Sequence, residues 1–206
     1  MRNVITVAQQ KGGCGKSTIA CHIAILAEKK GEVALIDCDP QGTLSRWYEA
    51  RLKHDNGKFA TFTFVKTPGW KLHKEIQSLQ SDHKFIIIDC PPHIEADTMT
   101  AMREANLVLV PVQPSPADFW STELFLNMAM NEKLNVKLCM NRVLPSAKIV
   151  QTYRQKFPFL LKNSLGNRVA FAQAMQEGFT ATETAPRSLA ASEMHAVFGE
   201  IIKALF

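Results

Sequence analysis

The stretch Gln9-Gln10-Lys11-Gly12-Gly13-Cys14-Gly15-Lys16-Ser17-Thr18 constrains this chain more than any other. An apolar run, Val4-Ile5-Thr6-Val7-Ala8, precedes it. Apolar residues at helical spacing follow it: Ile19, Ala20, Ile23, Ala24 and Ala27. Strand, glycine-rich loop and helix in that order form the context a phosphate-binding loop requires. The glycines let backbone N–H groups turn inward on an anion, and the helix N-terminus adds the positive end of its dipole. In such a loop Lys16 reaches the terminal phosphates and the Ser17 hydroxyl holds Mg²⁺. Gly12, Gly13, Cys14, Gly15 and Thr18 complete the nucleotide cradle. The loop departs from its common form twice: position 10 is Gln where the first glycine usually stands, and a second lysine, Lys11, precedes the paired glycines. A glycine-rich turn with two solvated lysines is the competing reading.

Carboxylates recur where a doubly wound sheet needs them. Val33-Ala34-Leu35-Ile36 is a continuous apolar run bounded by turn formers, which predicts a buried parallel strand. Asp37 and Asp39 stand at its C-terminal end, the side on which open α/β sheets bind ligands. Lys84 to Ile88 predicts a second such strand, ending in Asp89-Cys90-Pro91-Pro92. At that position a carboxylate binds Mg²⁺ through water. Further buried strands are expected at 106–112 and 136–142, and an alternating edge strand at 61–65. Helices are expected from Thr43, over 70–79, from Pro116 through Met130, over 149–157, and over 188–206 as an amphipathic segment. A short strand is expected near 159–161. Strands alternating with helices give an α/β fold: a doubly wound, mostly parallel sheet flanked by helices, in one domain over residues 1–206.

The pattern Lys-Gly-Gly-x-Gly-Lys-Ser resembles the deviant Walker A box of the ParA/MinD family of P-loop ATPases. Asp37-Cys38-Asp39-Pro40-Gln41-Gly42 is similar to that family's switch I. The run ending in Asp89-Cys90-Pro91-Pro92 is similar to its Walker B segment and switch II. Gln113-Pro114-Ser115-Pro116-Ala117-Asp118 resembles the proline-rich turn of short, ParF-like ParA proteins, and 167–178 their Arg-x-x-Phe-x-x-Ala region. The resemblance implies MgATP sandwiched in a homodimer, with Lys11 reaching across to the partner's nucleotide. It implies that Asp39 positions or activates the attacking water, and that Ser17, Asp37 and Asp89 serve the Mg²⁺ shell. It places Pro114 by the dimer interface and base, and Asn141 on the adenine; Arg142 stacks on the base or faces solvent.

The resemblance also implies partners: non-specific double-stranded DNA of the nucleoid, and a ParB-like or McdB-like adaptor that stimulates hydrolysis. The cargo stays open between a plasmid or chromosome and a protein organelle of the carboxysome kind, which McdA-like members position. A MinD-like membrane switch is an alternative that needs a basic amphipathic C-terminal anchor. An ATP-dependent ligase of the same superfamily is another. An iron–sulfur reductase needs paired cluster cysteines, and Cys90 has no fitting partner near position 125.

Composition fits a soluble, cytoplasmic protein, and the resemblance adds association with the nucleoid. No apolar run reaches the roughly 18 residues of a membrane span. The N-terminus enters a strand too soon for a signal peptide. The five cysteines are odd in number and form no CxxC pair, as expected of free thiols in a reducing compartment. The net charge of +5 lies wholly in residues 137–206, which carry nine Lys/Arg and four Asp/Glu. A basic surface there suits a polyanion, although a merely solvated face fits the charge as well. Arg142, Lys148, Arg154, Lys156, Lys162, Arg168, Arg187 and Lys203 are the candidate DNA contacts. The chain has no room for a long N-terminal DNA-binding extension, so site-specific operator binding is not expected.

Overall fold

The structure is a computed structural model that describes residues 3–54, 59, 61–93, 96–144 and 149–206. Six parallel strands run in the order β3-β2-β4-β1-β5-β6. They are β1 (Asn3–Val7), β2 (Val33–Asp37), β3 (Thr63–Lys66), β4 (Phe85–Asp89), β5 (Leu107–Val112) and β6 (Val136–Met140). The central strands are buried along their whole length and mostly apolar, because both faces are covered as in other parallel sheets. Their side chains alternate between two cores. Ile5, Val7, Leu35, Ile87 and Leu109 point into one; Val4, Ile36, Ile88 and Val110 point into the other.

On the first face lie α1 (Lys16–Glu28), α2 (Thr43–Leu52), α7 (Val169–Gln176), the short α8 (Ala181–Thr184) and α9 (Leu189–Leu205). On the second lie α3 (Leu72–Leu79), α4 (Ala96–Arg103), α5 (Pro116–Asn131) and α6 (Ile149–Lys156). Start signals in the sequence act as expected. Ser115 caps α5, its hydroxyl accepting from the Asp118 N–H, with Pro116 as the first helical residue. Ser188 caps α9 in the same way.

Two local expectations change. The segment 159–161 contributes only an isolated bridge between Leu160 and Leu138, not a strand. Pro158 and the turn that follows leave too little extended backbone for a ladder. The expected helix over 70–79 is split, with a 3-10 turn at Gly69–Lys71 leading into α3.

The register sets the site. Asp37 of β2 stands directly beside Asp89 of β4, which stands beside Val7 of β1. The C-terminal ends of these three adjacent strands therefore deliver two carboxylates and the glycine-rich loop to one place. Among the described residues no helix is long and apolar enough to cross a membrane.

Candidate functional site

The loop between β1 and α1 is held by its neighbours at four points. The Gln9 side-chain amide donates to the Pro111 carbonyl at 3.2 Å, and that of Gln113 to the Gly13 carbonyl at 3.1 Å. Asn141, just beyond β6, donates to the Cys14 carbonyl at 2.7 Å. Lys11 forms an ion pair with Asp118 in the first turn of α5. Gly15 has a φ of 97°, and a Cβ there would collide with the Asn141 amide, so both torsion and space demand glycine. The buried Cys14 donates its thiol hydrogen to the Lys11 carbonyl, and burial holds that thiol above its usual pKa. It fills space inside the turn.

Lys16, the first residue of α1, is buried, and its ammonium donates to the Lys11 carbonyl at 3.2 Å. Beside it a cavity of about 210 Å³ is lined by Gly12, Gly13, Gly15, Lys16, Ser17, Thr18, Asp39 and Arg142. A glycine-rich loop at a helix N-terminus, an ammonium, a hydroxyl and a carboxylate on one small cavity are the groups that suit an anion with a water beside it. A second cavity of about 300 Å³ opens on the other side of Gly15 and Thr18. Its walls come from Ile19, His22, Leu165, Phe171 and Met194 together with Asn141, Arg142 and the 166–169 loop. An apolar slot continuous with an anion site suits a base attached to phosphates. Arg142 lines both cavities from a left-handed backbone, φ 55°, steadied by its N–H donating to the Asn141 side-chain oxygen Oδ1 at 2.9 Å.

The three aspartates differ sharply. Asp37 is fully buried and already satisfied: it accepts from the Asp39 N–H and from both the N–H and the hydroxyl of Ser45 in α2. What it brings to a cation is charge at the back of the site. Asp39 accepts from the Gln41 N–H and faces the phosphate cavity, in place to order a water. Asp89 is fully buried, and neither of its oxygens has a hydrogen-bond partner among the described residues. Burial pushes its pKa up to about 8, against the opposing Ser17 hydroxyl and with Asp37 adding to the rise. A bare carboxylate behind Ser17 fits a hydrated divalent cation held by Ser17, nucleotide phosphates and water-bridged Asp89. Among the described residues no three His, Cys, Asp or Glu side chains cluster as a metal-ligand group.

Other expected residues are placed as follows. The Asn141 amide is committed to the loop and to Arg142, so it positions Cys14 and Gly15 beside the base slot. Pro114 lines neither cavity. Of the basic candidates, Lys156 pairs with Glu123, Arg168 with Glu193 at 2.7 Å, and Arg154 donates to the Lys162 carbonyl. Lys162, Arg187 and Lys203 are exposed, and their side chains form no ion pair among the described residues, although the Lys162 N–H donates to the Glu200 carboxylate at 2.8 Å. Lys148 lies outside the described residues. Sequence reasoning missed Gln113, Asp118 and His22. Gln113 and Asp118 stood inside the quoted proline-rich phrase, and their chemistry was the available signal. His22 sat one turn beyond Thr18, where an apolar helix face gave no hint of a polar role.

Residues 5–196 match the family described as the CobQ/CobB/MinD/ParA nucleotide binding domain. The chain is 30% identical over 209 residues to the maintenance of carboxysome distribution protein A of Halothiobacillus neapolitanus, an alignment spanning 96% of this chain and 95% of that protein. In fold it is similar to a putative plasmid partition protein of Borrelia burgdorferi bound to AMPPNP, with a TM-score of 0.79, 18% identity and coverage of 98% and 99%. It is similar to the same degree to the cell division ATPase MinD of Pyrococcus furiosus, with a TM-score of 0.80, 21% identity and coverage of 98% and 99%.

Proposed function

From the premise that this chain belongs to the CobQ/CobB/MinD/ParA nucleotide-binding family, we propose that it is a MgATP-dependent positioning ATPase that works as a nucleotide-clasped pair on DNA. The observation that carries the ATPase reading is the buried Asp89 side chain, without a hydrogen-bond partner among the described residues, at the end of the strand next to the loop whose Lys16 and Ser17 line the anion cavity together with Asp39. In this reading Ser17 and the water-bridged Asp89 hold the cation, which supplies charge neutralisation at the transferring phosphate. Lys16 binds the terminal phosphates, and Asp39 orients the attacking water and accepts its proton. Asn141 keeps Gly15 pressed against the base slot. Lys11 leaves Asp118 to reach the partner's nucleotide, so the terminal phosphate controls a two-state element.

The near full-length likeness to a carboxysome distribution protein supports a protein-organelle cargo over a plasmid. The MinD-like membrane reading is weakened by α9: Ala190, Ala191, Met194, Val197, Phe198 and Ile201 are buried in the first core, which leaves no apolar stripe for lipid. A metabolic ligase turns over ATP only with a small acceptor and ignores DNA, which separates it experimentally.

The test is mass by light scattering across a nucleotide series. The expected result is single chains with ADP, pairs with a non-hydrolysable ATP analogue, and pairs with ATP that persist in Asp39→Ala because hydrolysis is blocked. Lys11→Ala should bind nucleotide yet stay single. A parent chain that remains single in every nucleotide overturns the clasped-pair reading.

A further inference from the structure

The turn between β5 and α5 is poor in donors. Pro114 and Pro116 have no backbone N–H, so within 113–116 only Gln113 and Ser115 can donate from the main chain. Gln113 commits its N–H to the Asp118 carboxylate at 2.8 Å, and Ser115 commits its own to the Gln113 carbonyl at 2.8 Å. Yet two of the contacts that fix the glycine-rich loop start here. The Gln113 amide holds the Gly13 carbonyl at 3.1 Å. Asp118, which also accepts from the Ser115 hydroxyl at 2.9 Å, pairs with Lys11. Groups that must stand at set places on a neighbouring loop need support from outside their own turn.

That support comes from α6. Tyr153 is fully buried, and its hydroxyl donates to the Ser115 carbonyl at 2.9 Å and reaches the Gln113 carbonyl at 3.3 Å. These are the two carbonyls that bracket Pro114. The ring is held in turn, edge-on to Phe119 at 5.0 Å between centroids and tilted against Phe157 at 5.5 Å. Burial raises the pKa of the phenol and Asp118 adds to the rise, so the hydroxyl stays a donor at neutral pH. A tyrosine buried only for its bulk needs one acceptor anywhere in reach. This one grips both sides of a turn that itself holds the nucleotide loop at two points.

We propose that Tyr153 is a positioning residue for the nucleotide loop, acting through Gln113 on Gly13 and through Asp118 on Lys11. The proposal rests on the reading of that loop as a nucleotide site and goes beyond it, because Tyr153 lines neither cavity. It ties the loop to a surface helix, on which Gln151, Arg154 and Gln155 are exposed.

The test is a double-mutant cycle on affinity for MgADP, the nucleotide with which the chain is expected to stay single. It compares the parent chain, Tyr153→Phe, Gln113→Ala and the double variant by calorimetry, with urea unfolding alongside. Phenylalanine keeps the ring and its contacts with Phe119 and Phe157 and removes the hydroxyl alone. Each single change should weaken MgADP binding about three- to tenfold. The double variant should bind no more than about twofold worse than the weaker-binding single variant, because both changes cut one path. Losses that multiply, or a Tyr153→Phe variant with a lowered urea midpoint and unchanged MgADP affinity, overturn the proposal and leave Tyr153 a packing residue.

A second readout leaves Tyr153 in place, so it stands even if Tyr153→Phe is too unstable to study. The chain has two tyrosines, so ¹³C at tyrosine Cζ gives two signals, assigned with Tyr48→Phe. MgADP should move the Tyr153 signal in the parent chain and not in Gln113→Ala. A Tyr153 signal that ignores MgADP in the parent, or that moves equally in Gln113→Ala, overturns the proposal. A parent chain that binds no MgADP sinks the nucleotide-site reading and this proposal with it. A parent that binds MgADP no better than Tyr153→Phe does sinks the proposal alone.

Discussion

His22 shows how one side chain ties the nucleotide loop to the far end of the chain. Its Nδ1 donates to the Thr18 carbonyl at 2.7 Å, and its Nε2 accepts from the Ala181 N–H at 2.9 Å, so both ring nitrogens are used by a neutral tautomer. Burial drives its pKa down to about 4, with the Thr18 carbonyl and the charge of Glu183 pulling the other way. A neutral histidine favoured by the fold contributes fully above the unfolded pKa of 6.5 and loses that contribution as pH falls toward 4. The loss amounts to roughly 3 kcal/mol from this residue. Because Asp89, raised to about 8, gains stability as pH falls over the same range, the share of His22 is read as the difference between the urea midpoints of the parent and His22→Gln, constant from pH 8 to about 7 and narrowing below 6.5. His22→Gln should sit lower at pH 8 yet show a shallower acid limb. An unchanged limb in that variant removes His22 as its source. The same residue lines the cavity of about 300 Å³ beside the glycine-rich loop, so α1 presents a neutral ring to it.

At the scale of elements, the helix after switch I is locked by one buried cation. Arg51 in α2 is 2% exposed and makes a two-point ion pair with Glu183 of α8 at 2.7 and 3.2 Å. It also donates to the Gly178 and Phe59 carbonyls and lies over the Trp47, Phe62 and Phe179 rings. Glu183 at the same time closes the capping box with Thr180 that starts α8. Removing the guanidinium strands a carboxylate and two carbonyls together. Arg51→Ala should destabilise the fold by about 3–5 kcal/mol, read from denaturant unfolding. Arg51→Lys should recover little, because an ammonium cannot make the two-point pair. A loss under 1 kcal/mol would mean that the network is replaceable by water. Since Gly42 at the head of α2 follows Asp39 by three residues, loosening α2 reaches the Asp39 carboxylate through the backbone.

For the whole molecule, the decisive property is where charge lies relative to the two cavities. The basic candidates Lys162, Arg187 and Lys203 stay exposed, whereas Lys156 and Arg168 are engaged by carboxylates of their own chain. DNA binding should therefore depend on the first three more than on the other two. In co-sedimentation with a random duplex, retention should appear with ATP, be weak with ADP, and fall steeply between about 50 and 200 mM salt as phosphate contacts release counterions. Lys203→Ala and Arg187→Ala should each flatten the salt slope by about one unit. Binding that is indifferent to nucleotide and salt would remove DNA as the track.

Residue patterning by itself placed the central strands, because a parallel strand covered on both faces is apolar along most of its length, as Val33 to Ile36 and Phe85 to Ile88 are. It also placed the glycine-rich loop between a strand and a helix, because the glycines, Lys16 and Ser17 are adjacent in the chain. Only the tertiary structure decided what lies opposite them. Asp118 under Lys11, Gln113 on Gly13, Asn141 on Cys14 and the parallel register of Asp37 with Asp89 join residues 50 to 130 positions apart. Neither local propensity nor spacing encodes such pairings; they follow from which strands become neighbours in the sheet.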